Sequence, residues 1–273
     1  MTPTPVRGRV LVCAGSDSGG GAGLQADIKA VTALGGYAMT AVTTLTAQNT
    51  QGVFAIHPVP PSFVARQIVV CLEDIGADVI KTGMLSTIAT IESISSILES
   101  LAHDIPLIVD PVMVAKDGTT LLAADAIHAL RIHLINRATL VTPNLPEAYA
   151  LLGEHCALYT PESLVRIACR LLEKVPVRAV LLKGGHQPGQ MVRDVLATRS
   201  GEVTTFTHKR INSTSTHGTG CTLAASVACC LAQGMCLEVA VRQARNYVHT
   251  AIATAPGFGH GHGPLNHVHT VCS

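Results

Sequence analysis

The stretch Arg9-Val10-Leu11-Val12-Cys13-Ala14-Gly15-Ser16-Asp17-Ser18-Gly19-Gly20-Gly21-Ala22-Gly23-Leu24-Gln25-Ala26-Asp27 decides the fold. Arg9 to Ala14 is an apolar run of strand length, Gly21 to Leu34 carries the spacing of an amphipathic helix, and the glycines between them make a tight turn. The same unit recurs down the chain. Strands are expected at Ala38 to Thr44, Val79 to Thr82, Leu107 to Asp110, Leu140 to Thr142 and Ala179 to Lys183. Helices are expected at Pro61 to Ile75, Thr87 to Ala102, Ala124 to Leu134, Leu145 to Leu152 and Glu162 to Lys174. Strands that are apolar on both faces and alternate with helices predict a three-layer α/β/α fold, with a mainly parallel central sheet covered on both faces. The rhythm changes near the end of the chain. Asp194 to Thr198 and Glu202 to Thr207 flank the turn Arg199-Ser200-Gly201 and read as an antiparallel hairpin, followed by helices at Gly218 to Gln233 and Leu237 to Ala255. No linker or repeat interrupts residues 1–273, which predicts a single domain.

Composition agrees with this architecture. Of 273 residues 48% are apolar, 14% charged and 3% aromatic, with no Trp, so the chain can bury a large aliphatic core. The 19 Lys and Arg against 18 Asp and Glu leave a net charge of +1, which excludes the basic footprint of a nucleic-acid binder. No run approaches the ~18 apolar residues of a membrane span. The stretch Leu223 to Ala232 is much shorter, and Val10 to Ala14 is too short for a signal-peptide core. A cytoplasmic location is expected. The nine cysteines are odd in number and none form C-x-x-C. Cys13, Cys71, Cys169, Cys229 and Cys230 lie in apolar segments and read as small buried hydrophobes.

In such sheets ligands bind beyond the carboxyl ends of the strands, so the polar residues there are the candidate site. Gly21-x-Gly23-x-x-Ala26 matches the relaxed dinucleotide pattern, but no Asp or Glu occurs between Asp27 and Glu73 to hold a ribose, which argues against a nicotinamide enzyme. The sequence G-x-x-x-x-G-K-[ST] is also absent. Thr216-His217-Gly218-Thr219-Gly220-Cys221-Thr222 opens an apolar helix. Converging N–H groups and the helix dipole make an anion site there, and a Cys in that first turn is expected to have a stabilised thiolate, poised as base or nucleophile. Three more strand ends carry Asp110, Asn144 with Glu147, and Lys183. Asn144 also suits a helix cap and Glu147 a first turn. Together they supply carboxylates for a hydrated Mg²⁺, a lysine for a transferring phosphoryl group and an anion hole, a set used by phosphoryl transfer. Gly259-His260-Gly261-His262-Gly263 and His267-Val268-His269 resemble a metal-binding tract, yet lack an adjacent carboxylate and read better as a site-lining segment or a surface tail.

These residues carry a resemblance along nearly the whole chain. Gly15 to Asp27, Ala47-Gln48-Asn49-Thr50-x-Gly52-Val53, Lys81-Thr82-Gly83-Met84-Leu85, Asp110-Pro111-Val112-Met113-Val114-Ala115-Lys116, Thr142 to Ala148, Lys183-Gly184-Gly185-His186, His217 to Thr222 and Gly261-His262-Gly263-Pro264 follow one another in order. The chain resembles the hydroxymethylpyrimidine/phosphomethylpyrimidine kinases of thiamine biosynthesis, within the ribokinase-like superfamily. Cys221 discriminates here, since ribokinase-like sugar kinases usually place Asp at that position. Ser18 stands where Pro is common, and the Gln187 to Gln190 stretch is variable in the family.

The resemblance implies ATP-dependent phosphorylation of 4-amino-5-hydroxymethyl-2-methylpyrimidine and then of its monophosphate. It implies that Gln48 bonds the pyrimidine edge, that Ala22, Met84 and Val112 line its ring, and that Asp27 belongs to the substrate site. Cys221 would take the hydroxymethyl proton, and the N–H groups of Gly218, Thr219, Gly220 and Cys221 would stabilise the phosphoryl charge. Lys183, Asn144 and Thr219 would hold ATP, and Asp110 and Glu147 would position Mg²⁺ through water. A homodimer is expected, paired through the apolar surface segment Phe54 to Val64. Two alternatives stand beside this reading: a pyridoxal or pyridoxine kinase of the same superfamily, and a non-catalytic pyrimidine-binding sensor. Nucleic acid and membrane are not expected partners.

Overall fold

Short runs of Val, Leu, Ile and Ala alternate their side chains across a pleated strand, so strands buried on both faces feed two separate cores. A computed structural model describes residues 6–115, 118–154 and 163–270. It contains β1 (Arg9–Asp17), α1 (Gly23–Ala33), β2 (Tyr37–Gln48), β3 (Val53–Pro58), α2 (Pro61–Asp74), β4 (Val79–Thr82), α3 (Ile88–Leu101), β5 (Leu107–Val109), α4 (Ala124–His133), β6 (Leu140–Val141), α5 (Leu145–Leu152), α6 (Ser163–Lys174), β7 (Ala179–Leu182), β8 (Met191–Thr198), β9 (Val203–Lys209), α7 (Thr219–Ala232) and α8 (Leu237–Ala253). The strands form one sheet in the order β3-β2-β1-β4-β5-β6-β7-β8-β9. The six strands from β2 to β7 in that order pair in parallel, and the antiparallel strands β3, β8 and β9 close the two edges.

The alternation is visible residue by residue. Leu11, Cys13, Ile80, Val109 and Leu182 face a core shared with α2 to α6, while Val10, Val12, Val79, Ile108 and Leu181 face one shared with α1, α7 and α8. On the second face, Ala224, Ala225, Val227 and Ala228 let α7 lie close between the sheet, α1 and α8, so the helix is buried on nearly every side from Thr222 to Cys230. That burial accounts for the apolar run Leu223 to Ala232. Cys13, Cys229 and Cys230 are buried as expected, whereas Cys71 and Cys169 are half-buried at the edges of their helices.

The expected strands and helices recur with small shifts at their ends, with two informative exceptions. Strand β2 extends beyond Thr44 to Gln48, and the segment Val53–Pro58, read from sequence only as an apolar surface stretch, pairs with it as β3. Strand β3 is exposed along nearly its whole length, so it lacks the continuous burial that marks the other strands. Lys116 and Glu162 lie outside the described residues.

From β1 the chain runs outward to β2 and then returns to the far side of β1 as β4. This reversal opens a crevice at the carboxyl ends of β1 and β4. Helix α7 enters the crevice through Gly218, whose φ of +79° is the left-handed conformation that favours glycine. A Cβ there would lie 1.9 Å from the Gly21 carbonyl oxygen. Gly218→Ala is therefore expected to cost at least about 2 kcal/mol, combining left-handed strain with forced separation of two loops. Urea unfolding of both proteins checks it.

Candidate active site

A cavity of about 930 Å³ occupies the crevice. The loop after β1 forms one wall. Asp17 sits at the end of β1 and is almost fully buried. Its Oδ1 accepts the N–H of Gly19 at 2.8 Å, and its Oδ2 accepts those of Gly21 at 3.0 Å and Ala22 at 2.8 Å. His217 Nε2 lies 2.8 Å from the same Oδ2. A carboxylate can only accept, so the ring carries its proton on that nitrogen. Burial pushes the Asp17 carboxyl up, but the His217 bond and the backbone N–H groups outweigh it and hold the group below its ordinary value. One ionised side chain thus folds the glycine loop and ties it to the entrance of α7.

Gln48 ends β2, its Oε1 accepting from Thr46 Oγ1 at 3.1 Å. Ala22, Met84 and Val112 line the cavity with it, giving an apolar slot with one amide at its edge. A flat, neutral heterocycle suits that slot.

Asp27 does not reach the cavity. It points beneath the loop and pairs with Lys81 Nζ at 2.8 Å, both side chains being fully buried. The expectation that Asp27 contacts substrate is corrected: position 27 faces inward from the first turns of α1, and its partner Lys81, which does line the cavity, stands between it and the ligand space. Burial raises the Asp27 carboxyl to about 6, while Asp27 holds Lys81 charged against the opposing effect of burial.

Cys221 lies in the first turn of α7 and lines the cavity with Gly218, Thr219 and Gly220. The thiolate stabilisation expected from the helix start is overturned. Desolvation pushes the thiol up to about 11, overcoming the Lys81 charge and the Gly23 N–H that both favour the thiolate. In the resting protein Cys221 is a thiol.

At the other end, three strand termini bring Asp110, Asn144, Glu147 and Lys183 together. Lys183 Nζ lies 2.9 Å from Asp110 Oδ1 and 3.9 Å from Glu147 Oε2. Thr142 donates to Asp110 Oδ1 at 3.0 Å. Asn144 caps α5: its Oδ1 accepts the Glu147 N–H at 2.9 Å, and Glu147 Oε2 accepts the Asn144 N–H at 2.7 Å. This capping box fixes Glu147 rather than leaving it to solvent. Burial raises Glu147 to about 7, helped by Asp110 and opposed by Lys183. Asp110 also meets the upward effect of burial, but Lys183 and Lys81 hold it below its usual value. Among the described residues no three His, Cys, Asp or Glu side chains converge on a metal site, the histidine-rich tract included. Two hard carboxylates facing an open cavity fit Mg²⁺, which keeps several waters and binds through one or two carboxylates plus substrate phosphates.

Beyond Lys183 the cavity ends at Gly185, Asp194, His208 and Arg245. Sequence reasoning missed Asp194, Arg245, Lys81 and the role of His217. A Lys inside the apolar strand Val79–Thr82 and an Asp inside β8 are signals of buried pairing that the sequence does carry. His262 lines the cavity, and the strand-like bridge between His217 and Pro264 seats the glycine-histidine segment against α7.

A glycine-bearing helix start and a lysine between two carboxylates, lining one cavity at the switch point of an α/β/α sheet, are the architecture of a ribokinase-like small-molecule kinase. A family model described as "Phosphomethylpyrimidine kinase" matches residues 17–266. The chain is 43% identical over 266 residues to a hydroxymethylpyrimidine/phosphomethylpyrimidine kinase of Streptomyces coelicolor, covering 97% of this chain and 96% of that protein. It is 48% identical over 262 residues to the thiamine biosynthesis bifunctional protein ThiED of Geobacter sulfurreducens; 96% of this chain is covered, and the chain spans 52% of that longer protein. An ADP complex of Bacillus subtilis pyridoxal kinase superposes with a TM-score of 0.87 at 30% identity, covering 98% of this chain and all of that one. The chain belongs to the phosphomethylpyrimidine kinase family.

The buried ion pair beneath the slot makes a direct prediction. Lys81→Met leaves the Asp27 carboxylate without its partner and is expected to cost about 3–5 kcal/mol. The double variant Lys81→Met with Asp27→Leu removes both charges and is expected to lose less. Chemical denaturation of both proteins measures the difference.

Proposed function

We propose that this chain transfers the γ-phosphoryl group of ATP to the hydroxymethyl group of 4-amino-5-hydroxymethyl-2-methylpyrimidine, and then phosphorylates the monophosphate to the diphosphate, within thiamine biosynthesis. The observation that carries the reading is the cavity itself. Cys221 and the Gly218 to Cys221 amides stand between an apolar slot edged by Gln48 and the Asp110–Lys183–Glu147 cluster. Family membership supports the same acceptor.

In this reading Ala22, Met84 and Val112 sandwich the ring and Gln48 pairs with its edge. In the fraction of molecules whose Cys221 is ionised, the hydroxymethyl oxygen attacks the γ-phosphorus, its proton passes to the Cys221 thiolate, and the bond from phosphorus to the ADP oxygen breaks. The helix-start N–H groups bear the charge on the equatorial oxygens. Lys183 exchanges Asp110 for the nucleotide phosphates, with Asn144 and Thr219 beside them. Asp110 and Glu147 would hold Mg²⁺, which would neutralise phosphate charge. The second acceptor is already an anion and needs no base. A thiol near 11 limits the first step alone, because its thiolate fraction grows about tenfold per pH unit below that value.

A release assay for ADP with pyrimidine, its monophosphate and pyridoxal tests the assignment. Both pyrimidines are expected to turn over and pyridoxal to be poor; turnover of pyridoxal alone would sink the reading of Gln48 and Met84, and the superposition on a pyridoxal kinase makes that comparison necessary. Cys221→Ala is expected to slow the first step by about 10²–10⁴ and to flatten its rise between pH 7 and 9, with a smaller effect on the second.

The working unit in this proposal is a cytoplasmic homodimer. No described helix is long and apolar enough to cross a membrane. Among the described residues β3 pairs with β2 alone, leaving an open edge that carries the exposed Phe54 and Ile56, and Phe63 is exposed at the start of α2. An apolar edge of this kind is stabilised by a second copy. Light scattering is expected to return twice the chain mass, and Phe54→Asp to shift it towards one.

A further inference from the structure

The far end of the cavity holds a buried ion pair that none of the roles above uses. Strand β7 stops at Leu182; Lys183 still bridges Asn144 in the parallel register, and Gly184 leaves it. The Lys183 N–H donates to the Pro143 carbonyl at 2.8 Å. The Gly184 N–H has a different destination: it donates to Asp194 Oδ1 on β8 at 2.8 Å. The approach is so close that a Cβ on Gly184 would lie 1.8 Å from the Arg193 carbonyl oxygen. Asp194 gives its other oxygen to Arg245 Nε of α8, at 2.7 Å. Arg245 is anchored in turn, by the Phe206 carbonyl at 3.3 Å, by His208 Nδ1 at 2.6 Å and by the Phe206 ring 5.2 Å beneath it. Burial and the Arg245 charge depress His208 to about 4, so its ring is neutral and accepts at Nδ1.

A carboxylate in the interior of a strand is expensive to desolvate, and an apolar pair of similar volume would serve stability as well or better. What the pair accomplishes is geometric. One oxygen holds the backbone next to Lys183, and the other is locked to a helix on the opposite layer. Both side chains also reach the cavity wall.

We propose that Asp194, fixed by Arg245, is a positioning residue for the nucleotide: it tethers the Gly184 amide and thereby aims Lys183 at the ATP phosphates. The inference rests on the kinase reading, but its measurement does not depend on which acceptor is phosphorylated.

The test is the affinity of the full-length chain for Mg²⁺ with a non-hydrolysable ATP analogue, by calorimetry, together with hydrogen exchange at the Gly184 amide. Asp194→Ala is expected to weaken nucleotide binding by about 10- to 100-fold and to speed exchange at Gly184, while the KM for pyrimidine stays unchanged. Asp194→Asn keeps an acceptor oxygen for Gly184 and is expected to retain most of the affinity despite a lower melting temperature. Equal losses in Asp194→Ala and Asp194→Asn would overturn the tether, as would a parallel rise in the pyrimidine KM or unchanged nucleotide affinity in Asp194→Ala. If Asp194→Ala does not fold, Arg245→Lys decides: it keeps a charge for Asp194 but loses the hold of Phe206 and His208. Weaker nucleotide binding with normal pyrimidine KM then supports the proposal, and unchanged nucleotide affinity refutes it. Wild-type protein that binds nucleotide but fails to phosphorylate pyrimidine would refute the acceptor assignment alone.

Discussion

The rest of the site depends on the interlock between the glycine loop after β1 and the first turn of α7. Asp17 gathers the N–H groups of Gly19, Gly21 and Ala22 and, through His217, reaches 200 residues along the chain. Gly218 lies against the Gly21 carbonyl where no side chain would fit. This contact brings the glycine loop and the start of α7 to one point. Either element alone is a turn with a helix behind it. Joined, they leave the N–H of Gly23 beside the thiol of Cys221.

Charge is distributed so that little of it is unpaired before substrates arrive. Lys81 is balanced by Asp27, Lys183 by Asp110 and Glu147, and Arg245 by Asp194, while Asp17 is held by hydrogen bonds from the loop N–H groups and His217. In a low-dielectric cavity an unpaired charge is costly, and paired charges hold fixed positions. The same pairing explains why Cys221 stays protonated at rest. The nearby cation, Lys81, is already shared with Asp27, so its pull on the thiolate does not offset desolvation. The Lys183 cluster is arranged differently: it is open to the cavity, and phosphates with a cation can replace its internal pairs.

Much of the architecture was legible because helix and strand periods are local. The apolar runs at Val79–Thr82 and Ala179–Leu182 and the helix Leu145–Leu152 occur where their patterns predicted them. Strand β3 was less legible. It lies at an edge and is largely exposed, so burial left no periodic mark on it. Among the candidate site residues, the glycine-rich motifs and the polar strand ends line one cavity. Asp27 belongs to the same motif but points into the interior. Motif membership does not specify on which side of the helix a residue falls relative to the ligand.

Legible in the sequence were the order of the helices and of every strand but β3, the two-sided apolar character of the sheet and the glycine positions at which backbones meet. These follow from side-chain period and from the left-handed or crowded backbone that only glycine tolerates. Tertiary structure alone decided which polar side chains are partners. Asp17 with His217, Asp27 with Lys81 and Asp194 with Arg245 are separated by 200, 54 and 51 residues. Proton affinity at Cys221 was likewise a tertiary outcome, because desolvation and Coulomb interaction act through space and depend on what packs around a group rather than on its neighbours in the chain.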